Sequence, residues 1–404
     1  MLTLALTALL TTGAHAEDDA PSPLVPELEV ENYTSHPVDA AGGHYKPGKG
    51  LTFKSVDGKY SLALGLRGMF LYQLKNDPDA IPSEPTSTQE IMIRRARVTL
   101  VGNMWHKKNK YKVELAVSPK DEKVDDEGDL TQTPLLTWQN TFAQLRDLEF
   151  RVGQYKIPYN RERVVSSSKL AMVDRSAANS EFNLDRDIGF DIGSKDLGGA
   201  GIMQYNLGVY AGEGRGRFEP GDFGLMYLGR INFTPMGTFN DYEPQDFDRG
   251  APRLSVGAAY AYVAGATGSK SILDGGPENA SYDYHNMTAD VLFKASGFST
   301  ETAFFMRMGG DQFEQFAEVG TGYYVQPGML IPHQPLGIAL RFGQNTPTEG
   351  TAMSEKTEVG PGFSWYMNGA RNKMKLQADY LRAWGSDGPS TGTNQARVQL
   401  QAML

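Results

Sequence analysis

A two-residue rhythm that returns along most of this chain limits its fold more than any other feature. In KYSLALGLRGMFLYQL (59–74), Tyr60, Leu62, Leu64, Leu66, Phe70, Tyr72 and Leu74 share one face, and Ser61, Ala63, Gly65, Arg67 and Gln73 share the other. Side chains alternate across a β-strand, so this reads as one strand of about fifteen residues, against roughly five or six in globular sheets. IMIRRARVTLVG (91–102) sets Ala96, Val98 and Leu100 against Arg95, Arg97 and Thr99. KYKVELAV (110–117) sets Tyr111, Val113, Leu115 and Val117 against Lys110, Lys112 and Glu114. Further candidates fall near 137–146, 149–157, 186–195, 202–212, 223–234, 253–264, 284–296, 299–309, 318–331, 336–344, 357–368, 373–384 and 394–404. That makes about 16 strands at roughly 22 residues per strand and connection, the spacing of tilted transmembrane strands. In QARVQLQAML the last strand is apolar at Ala396, Val398, Leu400, Ala402 and Leu404 up to the final residue. An edge left open in hydrocarbon would strand backbone hydrogen-bonding groups, so closure is expected. The fold class is all-β, an antiparallel transmembrane β-barrel, with Trp105, Trp138, Trp365 and Trp384 near strand ends as an aromatic girdle.

The totals agree with an exported barrel. Residues 2–10 (LTLALTALL) followed by Ala14-His15-Ala16 have the pattern of a signal peptide spanning 1–16. Residues 17–50 are acidic and proline-rich, a flexible periplasmic lead-in, and the barrel is expected over 51–404. No run of 18 apolar residues follows, so helical membrane spans are excluded. Cysteine is absent, which removes disulfides and thiolate metal sites. A net charge of −9 without a basic domain argues against nucleic acid as a partner. The six histidines show no metal-ligand spacing, and neither a nucleophile elbow nor a P-loop occurs, so no metal, cofactor or enzymatic activity is expected.

One stretch breaks the rhythm. EFRVGQYK (149–156) alternates, Pro158 removes a ladder donor, and regular alternation resumes only at Asp187-Ile188-Gly189-Phe190. An insert this long in an all-β chain is usually functional or disordered. Val164, Val165, Leu170, Met172, Phe182 and Leu184 supply hydrophobic anchors, so an ordered loop over about 158–186, folded into the lumen, is expected. From Lys156 to Arg175 it carries five basic residues against Glu162 and Asp174.

RRARVTLVG (94–102), YKVELAVS (111–118), LEFRVGQYKIPYNRE (148–162), SAANSEFNLDRDIG (176–189) and NLGVYAGEG (206–214) together resemble the phosphate-selective porin O and P family of bacterial outer membranes. The resemblance covers most of the chain from residue 51, and its most specific part is RVGQYKIPYNRE with the later DRDIG. It implies a homotrimeric 16-stranded barrel, embedded in outer-membrane lipid, that passes small anions. Phosphate or pyrophosphate is the solute the family suggests. The later loops hold no lysine cluster of the kind carried by the family's phosphate binders.

A passive channel needs fixed charge at a narrowing enclosed by low-dielectric walls. By parity, Arg67, Arg95, Arg97, Lys110, Lys112 and Arg151 would line the lumen, and Arg161, Arg163, Lys169 and Arg175 would project from the loop. Arg94 shares the parity of Ala96 and Val98 and is assigned to the outer interface. Arg186, between Asp185 and Asp187, reads as a turn ion-pair partner, and Lys107 and Lys108 as solvated turn residues. The alternatives to an anion channel are a general diffusion porin, favoured by the acidic total, and a secreted or periplasmic β-rich binding protein.

Overall fold

The structure, a computed structural model, describes residues 44–46, 50–78, 86–118, 123–124, 130–131, 135–142, 148–216, 224–273, 281–309, 316–369 and 371–404. The expected signal peptide and nearly all of the lead-in lie outside the described residues.

Sixteen strands form the wall: β1 (Ser61–Asn76), β2 (Ser87–Asn103), β3 (Asn109–Ala116), β4 (Leu135–Phe142), β5 (Leu148–Lys156), β6 (Arg186–Ser194), β7 (Met203–Tyr210) and β8 (Met226–Phe233), then β9 (Arg253–Ala266), β10 (Tyr282–Ala295), β11 (Phe298–Gly309), β12 (Gly320–Leu330), β13 (Leu336–Pro347), β14 (Lys356–Tyr366), β15 (Met374–Trp384) and β16 (Thr393–Met403). Each pairs antiparallel with the next, and β16 returns to β1 with Asn394 opposite Asn76 and Met403 opposite Arg67. Leu404 and Leu66 exchange backbone bonds of 2.8 and 3.4 Å beyond that register. A short strand, Gly50–Lys54, covers the remaining edge of β1 from Leu64 to Ser61. The wall is closed, as backbone in hydrocarbon requires.

The two faces separate by chemistry. On β16, Val398 and Leu400 are 43% and 38% exposed, whereas Gln399 and Gln401 are fully enclosed. At the rim away from the C-terminus, outward tyrosines reach a polar group on the adjacent strand: Tyr72 to Gln89 (3.2 Å), Tyr262 to Asp283 (2.9 Å), Tyr323 to Gln344 (3.3 Å) and Tyr380 to Asn394 (2.6 Å). Such phenols keep an apolar body in lipid and a bonded hydroxyl at the interface.

Parity fails once on β2. The β1–β2 ladder passes from Met69 opposite Arg95 to Phe70 opposite Ile93, leaving Arg94 as the extra residue of a β-bulge. Arg94 therefore joins Arg95 on the inner face and bonds Asp174 at 2.6 Å, correcting its assignment to the outer interface.

Inside, residues 157–185 form an ordered insert. Asn160 caps α1 (Arg161–Val164) by accepting from the Arg163 amide at 2.6 Å, and Ser176 caps α2 (Ala177–Phe182) by accepting from Asn179 at 3.0 Å. The insert runs along the inward faces of successive strands. Arg67 on β1 donates to Ser166 (3.0 Å), Gln401 on β16 to the Ser168 carbonyl (3.2 Å) and Lys375 on β15 to that of Leu170 (2.8 Å). Ser364 on β14 meets Ala171, and Arg341 on β13 donates to the Asp174 carbonyl at 2.8 Å. Arg307 on β11 ends the series at Glu181.

The inner faces of β7 to β12 carry an apolar patch next to buried polar residues such as Asn206, Thr288 and Glu301. Tyr210, Met226, Leu228, Ala261, Tyr284, Phe305 and Tyr324 join Ile157, Tyr159, Phe182 and Leu184 of the insert in one buried core. Phe182 and Phe305 stack at 5.9 Å. Inward glycines make room: a Cβ on Gly322 would lie 2.5 Å from the Phe182 ring, and one on Gly362 would lie 2.9 Å from Met172. One side of the barrel is thus filled by packed side chains. We expect Gly322→Val to expel α2 while the wall stays closed. Limited trypsin digestion should then cleave at Arg161, Arg163 or Lys169 in the variant alone, with heat-modifiable gel migration retained by both proteins.

Candidate functional site

The opposite side gathers charge. Glu114 on β3 is shared by Arg97 of β2, by Lys112 at 3.0 Å and by Arg186 of β6 at 3.8 Å. Asp185 is shared by Arg163 and, at 3.3 Å, by Arg186. Asp174 is shared by Arg94 at 2.6 Å and Arg95 at 3.4 Å. Lys156 and Arg175 both donate to the Val165 carbonyl, at 3.0 and 2.6 Å, and Arg175 also holds the carbonyls of Glu162 and Arg163. Eight cations named here are linked through three carboxylates and a few carbonyls. Arg67 stands within electrostatic reach of Glu114 as a further cation.

Local structure explains the convergence. Arg97 and Glu114 face inward at neighbouring register positions of the β2–β3 ladder, where Thr99 opposes Glu114 and Arg97 opposes Ala116. The bulge adds Arg94. Lys156 ends β5, past Gly153 (φ 128°) and ahead of Pro158, and turns inside to meet the insert. The α1 turn presents Arg163 toward β6, and its terminal carbonyls receive Arg175.

The crowding shows in the loop groups. Burial, then the guanidiniums of Arg175, Arg186, Arg95 and Arg97, hold Arg163 well below the ordinary arginine range. Burial and Arg95 push Arg175 down to about 10, against Asp174 and Glu162. Burial opposes ionisation of Asp174, yet Arg95 and Arg94 prevail and hold its carboxyl far below the usual range. The lowered arginines register mutual repulsion among cations that an arriving anion would relieve.

Of the ten residues selected from sequence, Arg95, Arg97, Lys112, Arg163 and Arg175 meet in this cluster, and Arg67 borders it. Lys110, opposite Gln139 of β4, shares the inward face of Lys112 and is partly exposed. Three lie elsewhere. Arg151 is closed within the wall by Asp191, whose Oδ2 also accepts from Tyr155 (2.7 Å) and Tyr210 (2.9 Å). Arg161 is 1% exposed between Asp241 at 2.5 Å and Asp290 at 2.7 Å. Lys169 is buried, and its carbonyl accepts from Gln245 at 2.8 Å. Arg94, Arg186 and Lys156 were not selected. Arg186 does bond its neighbour Asp185, as its turn suggested, but it also reaches Glu114 across the lumen.

This arrangement makes no bond. It supplies a positive field beside partly exposed side chains, bounded by a low-dielectric wall and a packed insert. Among the described residues, no group of histidines and carboxylates could hold a metal ion.

Comparison with known proteins agrees with this architecture. The family model for phosphate-selective porin O and P matches residues 76–270, which include the insert and most of the cationic wall. An anion-selective porin from Comamonas acidovorans superposes with a TM-score of 0.56 at 10% identity, over 85% of this chain and 100% of that one. A loop-deletion form of OmpT, an outer membrane protein of Vibrio cholerae, superposes at 0.53 and 11% identity, over 85% and 99%. The trimer form of OmpT does so at 0.52 and 11%, over 85% and 99%. No curated protein sequence matches the chain. The closed 16-stranded wall is the fold of outer-membrane porins, and over residues 76–270 the chain is similar to the phosphate-selective porin O and P family.

Proposed function

We propose that the barrel passes small anions between the β2–β3 wall and the basic edge of the insert, with phosphate-like oxyanions among them. The observation that carries this reading is a set of eight cations, six sharing three carboxylates and two held by backbone carbonyls, inside a chain whose net charge is −9. Composition cannot produce such a surplus; placement does. Guanidinium suits the role because it stays protonated and its planar fork matches oxyanion geometry. The packed core on the far side leaves the charged wall as the passage.

A general diffusion porin is the second reading. It is favoured by the bonding of the cluster: its cations already have protein acceptors, which suits an attractive field better than a tight binding site. Assembly as a homotrimer, the form in which OmpT of Vibrio cholerae occurs, is part of the proposal, and so are lipid contacts along the apolar outer band.

Planar-bilayer recordings test it. Under a KCl gradient we expect a reversal potential on the chloride side, and Arg163→Ala or Lys112→Ala should lower the chloride-to-potassium permeability ratio by about twofold or more. Cation preference in the unmodified protein would contradict the proposal. Phosphate block of the chloride current would favour an oxyanion site, and its absence the general porin.

Glu114→Gln offers an opposite test. It removes the carboxylate shared by Arg97, Lys112 and Arg186, so anion preference should rise. Stability should fall by about 3–5 kcal/mol because buried cations lose their partner. Heat-modifiable migration should therefore convert at a lower temperature in the variant.

A further inference from the structure

We infer that residues 234–252, between β8 and β9, form a brace that enters from the mouth where the chain ends and fixes the position of the insert's basic edge through Arg161. This rests on the channel reading above. Other connections at that mouth are short, such as Ser296-Gly297 between β10 and β11. The 234–252 segment instead turns inward.

Its inner part grips the insert. Asp241, wholly enclosed, accepts from Arg161 Nη1 at 2.5 Å and from Ser255 at 2.8 Å. Asp290 on β10 accepts from Arg161 Nε at 2.8 Å and Arg230 Nη2 at 3.0 Å, and Arg230 Nη1 donates to the Tyr159 carbonyl at 2.7 Å. Tyr242 packs with Val164, Val165 and Leu170, and Gln245 holds the Lys169 carbonyl. Its outer part is tied to the rim. Asp246 accepts from the Gly297 amide at 2.8 Å and pairs with Arg253, Lys294 bonds the Glu243 carbonyl at 2.7 Å, and Phe247 meets Tyr366 edge-on at 4.9 Å.

Arg161 and Arg230 are balanced by Asp241 and Asp290, so this knot presents no net charge to the passage. Its effect is transmitted by α1. Arg163 lies on the same turn, and the carbonyls of Glu162, Arg163 and Val165 hold Arg175. Moving α1 would move both arginines relative to Arg97 and Lys112. Arg161 is thus a positioning residue for the cationic edge. Gly257 gives independent access to the knot, because a Cβ there would lie 2.2 Å from Arg230 Nη2 and 2.4 Å from Asn232 Oδ1.

The full-length protein, Asp241→Asn and Gly257→Ala should be recorded in the same bilayers, after heat-modifiable migration has shown that each wall is closed. We expect both variants to shift single-channel conductance and lower the chloride-to-potassium ratio by about twofold, with noisier open current, although Gly257→Ala changes no charge. Folded variants with unaltered conductance and ratio would overturn the brace. An unmodified protein that carries no current would instead overturn the channel reading. If Asp241→Asn does not fold, Gly257→Ala decides in its place. A third variant guards against loss of both: in this cysteine-free chain, Tyr242→Cys with Val165→Cys should conduct normally once bridged by a short bifunctional thiol reagent. Before bridging it should show the lowered ratio. A ratio unaffected by bridging would count against the brace.

Discussion

Everything in this molecule follows from the need to pair backbone hydrogen-bonding groups within hydrocarbon. An unpaired amide or carbonyl there costs several kcal/mol, so the sheet must close on itself. The Leu66–Leu404 exchange and the strand at Gly50–Lys54 finish that closure at the one place where the first and last strands meet unevenly. A closed wall has two faces and the side chains alternate between them, so hydrophobic residues face lipid and half of every strand projects inward. Inward arginines become affordable only because that space holds water, carboxylates and a folded insert.

The insert converts a cylinder into an asymmetric passage. Its aromatic and aliphatic residues dock on the apolar patch of β7 to β12, over a glycine socket at Gly322, and Met172 docks over Gly362 of β14. Its backbone groups take bonds from β13 to β16, and its Ser166 hydroxyl takes one from Arg67 of β1. The edge carrying Arg163 and Arg175, bonded to Asp185 and to the α1 carbonyls, faces the arginines and lysines of β2 and β3. The brace beneath α1 holds that edge against the repulsion it encloses. Selectivity in such a channel is a property of placement, since the chain as a whole is acidic.

Much of this was legible in the residues. The period of two located all sixteen strands, because the lipid-facing side must be apolar over the full thickness of the membrane. The long gap after Pro158 corresponds to the connection between β5 and β6, residues 157–185. Errors arose where alternation breaks. Arg94 was assigned outward because a bulge cannot be seen in a pattern of alternating residues. Lys156 was passed over because it closes a strand at a proline. Arg151 and Arg161 carry the right charge, but their partners Asp191, Asp241 and Asp290 lie far away in sequence and meet them only in the folded barrel. The inward turn of residues 234–252 has no local signature, being a run of polar and aromatic residues that reads as an ordinary connection.

The most direct measurement is anomalous diffraction from crystals soaked in bromide, which locates an anion without reference to conductance. We expect bromide peaks between the insert edge at Arg163 and Arg175 and the wall at Arg97, Lys110 and Lys112. Peaks confined to the outer rims, with none along that wall, would contradict the passage described here.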